Sequence, residues 1–297
     1  MTYKTLLSLL KVSSFFIFAG RAYQHLIWDA PYRSLFWDQK LLEPIINLVF
    51  DTTWQKYVTD LNTDLSIQIL TRCVGCLYVV CAVLSLTITG STKNWQRNIL
   101  KLGAVSLVFL SLLLTKEKFY HLIMFFEHTI QFGVPIALLY FIKNKNKEKL
   151  IFALKICIAL TFTCHGMYAI GVFYPLPANF VTMTLNILPV TENMAKSLLF
   201  VAGVLDFAIA LFIFIPKLVK PTLIYAAFWG FITALARIIS GLHYEVSLNM
   251  VHQYLYLVIY RIPHGLIPIL VYMYISKITY KNGLTLKKNF VRKAVNS

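Results

Sequence analysis

The chain has 297 residues, 58% of them hydrophobic and only 13% charged, with 28 Lys and Arg against 12 Asp and Glu for a net charge of +16. An ordinary soluble domain carries about 25% charged residues, and a chain this apolar has too little polar surface to face water on all sides. Its apolar runs are continuous rather than alternating, which excludes an outer-membrane barrel, a soluble Rossmann or barrel enzyme, a disulfide scaffold and a disordered tail, and leaves an all-α polytopic membrane protein.

A spanning helix needs about 20 mostly apolar residues, and on that measure the sequence predicts about eight spans. The first runs from Leu6 to Trp28; Lys11 interrupts its apolar run and no A-x-A site follows, so it is expected to be retained rather than cleaved. A loop from Asp29 to Asp64 comes next, with six acids and with Trp28, Tyr32, Phe36, Trp37 and Trp54 at or near its start and middle. Aromatic rings favour the membrane interface, so short amphipathic helices lying on the outer surface are expected there. The following spans are Leu65 to Thr87, Leu100 to Leu114, Phe119 to Ile142, Leu150 to Tyr174, Ser197 to Ile215, Thr222 to Ser240 and Tyr254 to Ile275. Pro135 and Pro268 each call for a kink in their helices and nothing more.

Alternate connections hold Lys93, Arg97 and Lys101, then Lys143, Lys145, Lys147 and Lys149, then Lys217 and Lys220, and the tail adds Lys277, Lys281, Lys287, Lys288, Arg292 and Lys293. With Lys4, all lie on one side if the number of spans is even, and the positive-inside rule makes that side the cytoplasm, with both termini inside. The rule also accounts for the net charge. No zinc-finger spacing or aromatic-interleaved basic groove accompanies it, so no nucleic-acid partner is expected.

The two halves look related. FFIFAGRAYQHLIWDAPY and ALTFTCHGMYAIGVFYPLP place Gly20 before Pro31 and Gly166 before Pro177 at one interval, and Val134-Pro135-Ile136 matches Ile267-Pro268-Ile269. In that register His128 aligns with Arg261, and Gln131 with His264. The division is then a first four-helix half over 1–142 containing the loop 29–64, a basic linker over 143–149, a second four-helix half over 150–276 and a basic tail over 277–297. A helix with a Gly and a polar residue near its outer end, then an outer loop and three further helices, resembles the DoxX-like four-helix membrane module. The FTCHGMYAIGVFYPLPANF and LLFVAGVLDFAIALFIF stretches carry the resemblance, over roughly 150–275 and more faintly 5–142. It implies a small multi-pass protein of the bacterial inner membrane, some members of that family being linked to quinone and sulfur-compound oxidation, which makes quinone the candidate cofactor; the partners expected of the chain are membrane lipids, quinone or other membrane subunits. The long aromatic loop of the first half departs from that pattern.

Ionisable residues inside spans carry the functional signal, because each costs about 2.5–3.5 kcal/mol at the bilayer centre unless paired or lining a cavity. They are Arg21, His25, Arg72, His121, Glu127, His128, His165, Asp206, Arg237, Arg261 and His264. Helical spacing places Arg21 with His25, His121 with His128, and Arg261 with His264 on shared faces. Arg21, His128, Asp206, Arg261 and His264 are expected to converge with Glu127 on an outward-opening cavity. Excess arginine there fits a small anionic or carbonyl ligand. No metal-ligand motif occurs. Cys73-Val74-Gly75-Cys76 is a C-x-x-C within a span and reads as structural. The sequence leaves three activities open: a ligand-binding or quinone-linked redox subunit, a small-anion transporter, and a non-enzymatic assembly subunit.

Overall fold

A computed structural model describes residues 2–49, 51–243 and 247–277. The tail residues Lys281, Lys287, Lys288, Arg292 and Lys293 lie outside the described residues. The long helices are α1 (Tyr3–Ile27), α5 (Leu61–Thr87), α6 (Asn94–Glu117), α9 (Lys147–Ile170), α11 (Glu192–Phe212) and α12 (Val219–Leu242). Between α1 and α5 lie α2 (Arg33–Phe36), α3 (Gln39–Val49) and α4 (Trp54–Thr59), and between α9 and α11 lies α10 (Ala178–Ile187). Two further stretches are interrupted: α7 (Leu122–Glu127) is followed by α8 (Thr129–Asn144), and α13 (Leu248–Ile259) by α14 (262–277). Every described element is helical.

Seven helical stretches among the described residues are long and apolar enough to cross a bilayer: α1, α5, α6, α9, α11, α12, and α13 taken with α14. The chain is therefore an integral, multi-pass membrane protein. The outside of the bundle agrees with a lipid solvent. Val83, Leu102, Val105, Leu112, Val201, Val204 and Phe228 are exposed apolar side chains, an arrangement that water would penalise. The fourth expected span, Phe119 to Ile142, is not one helix. Its polar Glu127-His128-Thr129 segment interrupts it, and α8 alone, at 16 residues, reaches only about 24 Å against a hydrocarbon core of roughly 30 Å.

Helix ends follow local chemistry rather than hydropathy alone, which corrects several boundaries. The second span begins at Leu61, where the Asp60 carboxylate accepts from Asn62 N–H at 3.0 Å. The third begins at Asn94 and runs 24 residues, because polar Asn94, Gln96 and Arg97 continue the helix beyond the apolar stretch. The fifth ends at Gly171, whose φ of +71° closes α9 in the left-handed region. The expected surface helices after α1 are present as α2, α3 and α4. α3 exposes Leu41, Ile45 and Leu48, and Arg33 ties the segment to α5 through Asp64 at 2.8 Å.

One hydrophobic core runs through the molecule, from Leu6, Ile17 and Phe18 of α1 through Ile130 and Leu138 of α8 and Leu154 and Ile158 of α9 to Ile209, Leu223 and Ile267. The two most extensive helix pairs are α1 on α5 and α9 on α11. α8 lies along α1, α6 and α9, and α13 lies along α1 and α12. α11 and α12 pack on each other only sparsely.

Candidate functional site

Both interrupted stretches break beside the residues aligned in the sequence register, His128 and Arg261. This goes beyond the kinks expected at Pro135 and Pro268, which lie inside α8 and α14. His128 takes φ −87° and ψ 7°, the bridge conformation that ends one helix before the next begins. A break frees backbone groups that lipid cannot satisfy. The His128 Nδ1–H donates to the Met124 carbonyl at 2.7 Å, and Thr161 Oγ1 accepts from Ile130 N–H at 3.3 Å. At the second break Pro263 lacks an N–H to continue the ladder, and the His264 Nδ1–H donates to the Arg261 carbonyl at 3.0 Å. Gly20 lets α1 approach this break, since a Cβ there would lie 2.6 Å from Tyr260 N.

The two breaks bring the polar side chains together. Arg21 is buried on α1; its guanidinium donates to Gln131 Oε1 through two nitrogens and to Gln24 Oε1 at 2.7 Å. It also lies over the Tyr260 ring, 4.0 Å from the centroid. Arg261 stands 4.7 Å from the same centroid and donates to the Tyr260 hydroxyl. One aromatic ring thus joins two guanidiniums through its electron-rich π system and its oxygen. Glu127 faces Arg261 at 3.9 Å and His165 Nε2 at 3.7 Å. The His165 ring is edge-on to His264, centroids 6.1 Å apart. His25, His128 and His264 each direct Nδ1 at a backbone carbonyl three or four residues earlier in the chain. A carbonyl only accepts, so that nitrogen carries the proton, and in the neutral ring Nε2 is an acceptor.

Beside this cluster lies a cavity of about 450 Å³, within the ordinary range for small-ligand sites. Phe162, Met183, Leu198, Leu205 and Ile232 help to form its apolar wall, while His165, Asp206, Arg237 and His264 supply polar groups. The Trp229 indole interacts with the Asp206 carboxyl, whose Oδ1 has no hydrogen-bond partner among the described residues. Arg237 donates to the Thr233 carbonyl. α10 covers one end through Phe180, Met183 and Ile187, and Asn186 Nδ2 fastens it to α12 by donating to Ser240 Oγ at 3.1 Å.

The expected single convergence is therefore two adjoining groups. Arg21, Glu127, His128 and Arg261 form a packed cluster outside the cavity lining, whereas His165, Asp206, Arg237 and His264 face the cavity. Three further candidates among the intramembrane ionisable residues lie elsewhere. Arg72 is exposed on α5 and borders a smaller hollow with Asp29, Arg33 and Gln68. His25 borders that hollow too, packed against Tyr78 with its centroid 5.0 Å away. His121 packs against Tyr174, 4.6 Å between centroids. Among the described residues no three His, Cys, Asp or Glu side chains stand close enough to share a metal ion. Cys73 and Cys76 are exposed and free, while Gly75 between them packs on His25 and Leu26 of α1.

Sequence reasoning missed Tyr260, Gln24 and Trp229. Gln24 is readable as the i+3 neighbour of Arg21, and Tyr260 as the neighbour of a buried arginine. Nothing in the local sequence marks Trp229. No known protein family, curated protein or solved structure matches the chain.

Proposed function

We propose that the chain is an eight-span protein of two related four-helix halves, 1–142 and 150–276, and that its second half binds a ligand with an apolar body and an anionic or carbonyl head. α7 and α8 together form the fourth span of the first half. The interruption of both fourth spans beside aligned residues supports the duplication, as does the matching dominance of the α1–α5 and α9–α11 pairs. A tandem DoxX-like architecture accommodates both. The end bearing α2–α4 and α10 faces outward, because the basic connections cluster at the opposite end.

The observation that carries the ligand reading is the cavity itself: an apolar chamber with Arg237, His165 and His264 on its wall. Arginine supplies a fixed fork of donors suited to carboxylate or carbonyl oxygen. A quinone and a lipid acid both meet that description. Native mass spectrometry of gently extracted protein tests it. A bound mass is expected in the wild type and is lost in Arg237→Leu. A wild type that carries no small molecule and takes up neither added quinone nor added fatty acid overturns the reading. The absorbance of the released ligand separates the two classes.

A second reading, a carrier of small anions, is favoured by the interrupted helices, which is how many transporters build their binding sites. Uptake of an anion into proteoliposomes, abolished by Asp206→Asn, supports transport; absence of any uptake removes it.

A further inference from the structure

The cavity wall is incomplete on one side. Leu198, Val201 and Leu205 of α11 and Ile232 of α12 line the cavity, and all are exposed rather than buried, Val201 at 55%. These residues border the sparsely packed α11–α12 seam, at the depth of the bilayer. The end nearest the outer surface is instead covered by α10, held to Ser240 by Asn186. A ligand from the hydrocarbon phase thus meets an apolar opening, and a ligand from water meets a helix.

Inside, two polar groups are separated along α12. The Arg237 backbone stands eight positions beyond Trp229, or about 12 Å along the helix axis, and its guanidinium reaches back to the Thr233 carbonyl, one turn nearer Trp229. Trp229 marks the level of Asp206. Asp206 is 4% exposed, and its Oδ1 lacks a donor. An unmet acceptor at such a site costs about 1–3 kcal/mol, and a ligand donor placed there removes that cost. The chamber volume fits a drug-sized molecule rather than a two-chain phospholipid.

We infer that the ligand is a membrane-borne single-chain acid carrying a hydroxyl in mid-chain, which enters between α11 and α12, sets its carboxylate at Arg237 and donates its hydroxyl to Asp206. The inference rests on the ligand reading above and narrows it to a chemical class and a route. It involves no covalent step.

The test compares ricinoleic acid with oleic acid, which differ by one mid-chain hydroxyl, in binding to the full chain in phosphatidylcholine nanodiscs. The wild type should bind ricinoleic acid roughly tenfold more tightly, the value of one hydrogen bond in a dry site. Asp206→Leu should abolish the preference, and Asp206→Asn, which keeps an accepting oxygen, should retain it. Val201→Trp with Ile232→Trp should slow binding from the bilayer several-fold. Val204→Trp, an exposed neighbour outside the lining, should not, and so controls for folding. Equal affinity for the two acids overturns the hydroxyl assignment, as does a preference that survives Asp206→Leu. Binding rates unchanged by the seam variants overturn lateral access, as does full competition by water-borne butyrate. If neither acid binds while a native ligand is still lost in Arg237→Leu, this inference fails and the broader reading stands. If Arg237→Leu also leaves the native ligand in place, both fail.

Discussion

Replacing Glu127 by Gln isolates the energetics of the polar cluster. Glu127 is 8% exposed and is the carboxylate facing both Arg261 at 3.9 Å and His165 at 3.7 Å. Removing one partner of a buried ion pair costs about 3–5 kcal/mol, because the surviving charge keeps its desolvation penalty. Two features reduce the figure here. The separations lie near the upper limit for an ion pair, and Arg261 retains the Tyr260 hydroxyl and ring. We therefore expect about 2–3 kcal/mol for Glu127→Gln and a similar loss for Arg261→Met. The double variant leaves neither charge orphaned, so it should be less destabilised than the sum by about 2 kcal/mol. Reversible unfolding in mixed micelles, titrated with dodecyl sulfate, measures all four proteins. Strict additivity of the two single costs would refute the argument, for it would mean that the pair does not interact.

Gly20→Ala should destabilise by about 1–3 kcal/mol, since the new methyl meets backbone rather than a movable side chain; Gly90→Ala, with open space around it, should stay within about 0.5 kcal/mol, and equal effects in the same titration would count against close approach at the break. Lys116 beside Asp38 holds that surface carboxyl below the usual carboxylate range. A depressed folded-state value stabilises above the unfolded value, about 4, and the contribution is lost as pH falls through the folded one. The thermal midpoint of the wild type should thus exceed that of Asp38→Asn at neutral pH and converge on it in acid; a constant gap contradicts the linkage. Asn186→Ala should release α10, raising amide hydrogen exchange across 178–187 roughly fivefold for a lost bond of about 1 kcal/mol; unchanged exchange would show that the bonds to Ser240 do not hold the cover.

Membrane class, the surface helices after α1 and most spans were legible because continuous apolar runs and aromatic belts are local patterns. The polar members of the cluster were legible one by one for the same reason: Arg21, Glu127 and Arg261 stand in apolar surroundings where an unpaired charge is costly. Their grouping was only partly legible. The sequence called for kinks at Pro135 and Pro268 and no break at His128 or Arg261; the break at His128 arises from side-chain and backbone hydrogen bonds, including Thr161 some thirty residues away. The separation of Asp206 and Arg237 from Arg21 and Glu127 depends on which helices adjoin, and periodicity along one helix carries no such information. Tyr260 was overlooked because a tyrosine in an apolar run looks like any core aromatic until two guanidiniums are found against its ring.

The cut through α7 and α8 also bears on how the protein is made. Neither piece is long enough to enter a bilayer as an independent unit: α7 has 6 residues and α8 has 16. When this stretch leaves the ribosome, Arg21 is already available to Gln131, but His165 has yet to be synthesised and Arg261 comes almost at the end of the chain. Glu127 therefore meets His165 once α9 has been made but waits for Arg261 until α10 to α13 have followed. Stable insertion of the first half becomes contingent on completion of the second, so truncation before α13 should yield a product that the membrane quality-control machinery removes, even though six of the long helices, α1, α5, α6, α9, α11 and α12, are by then complete.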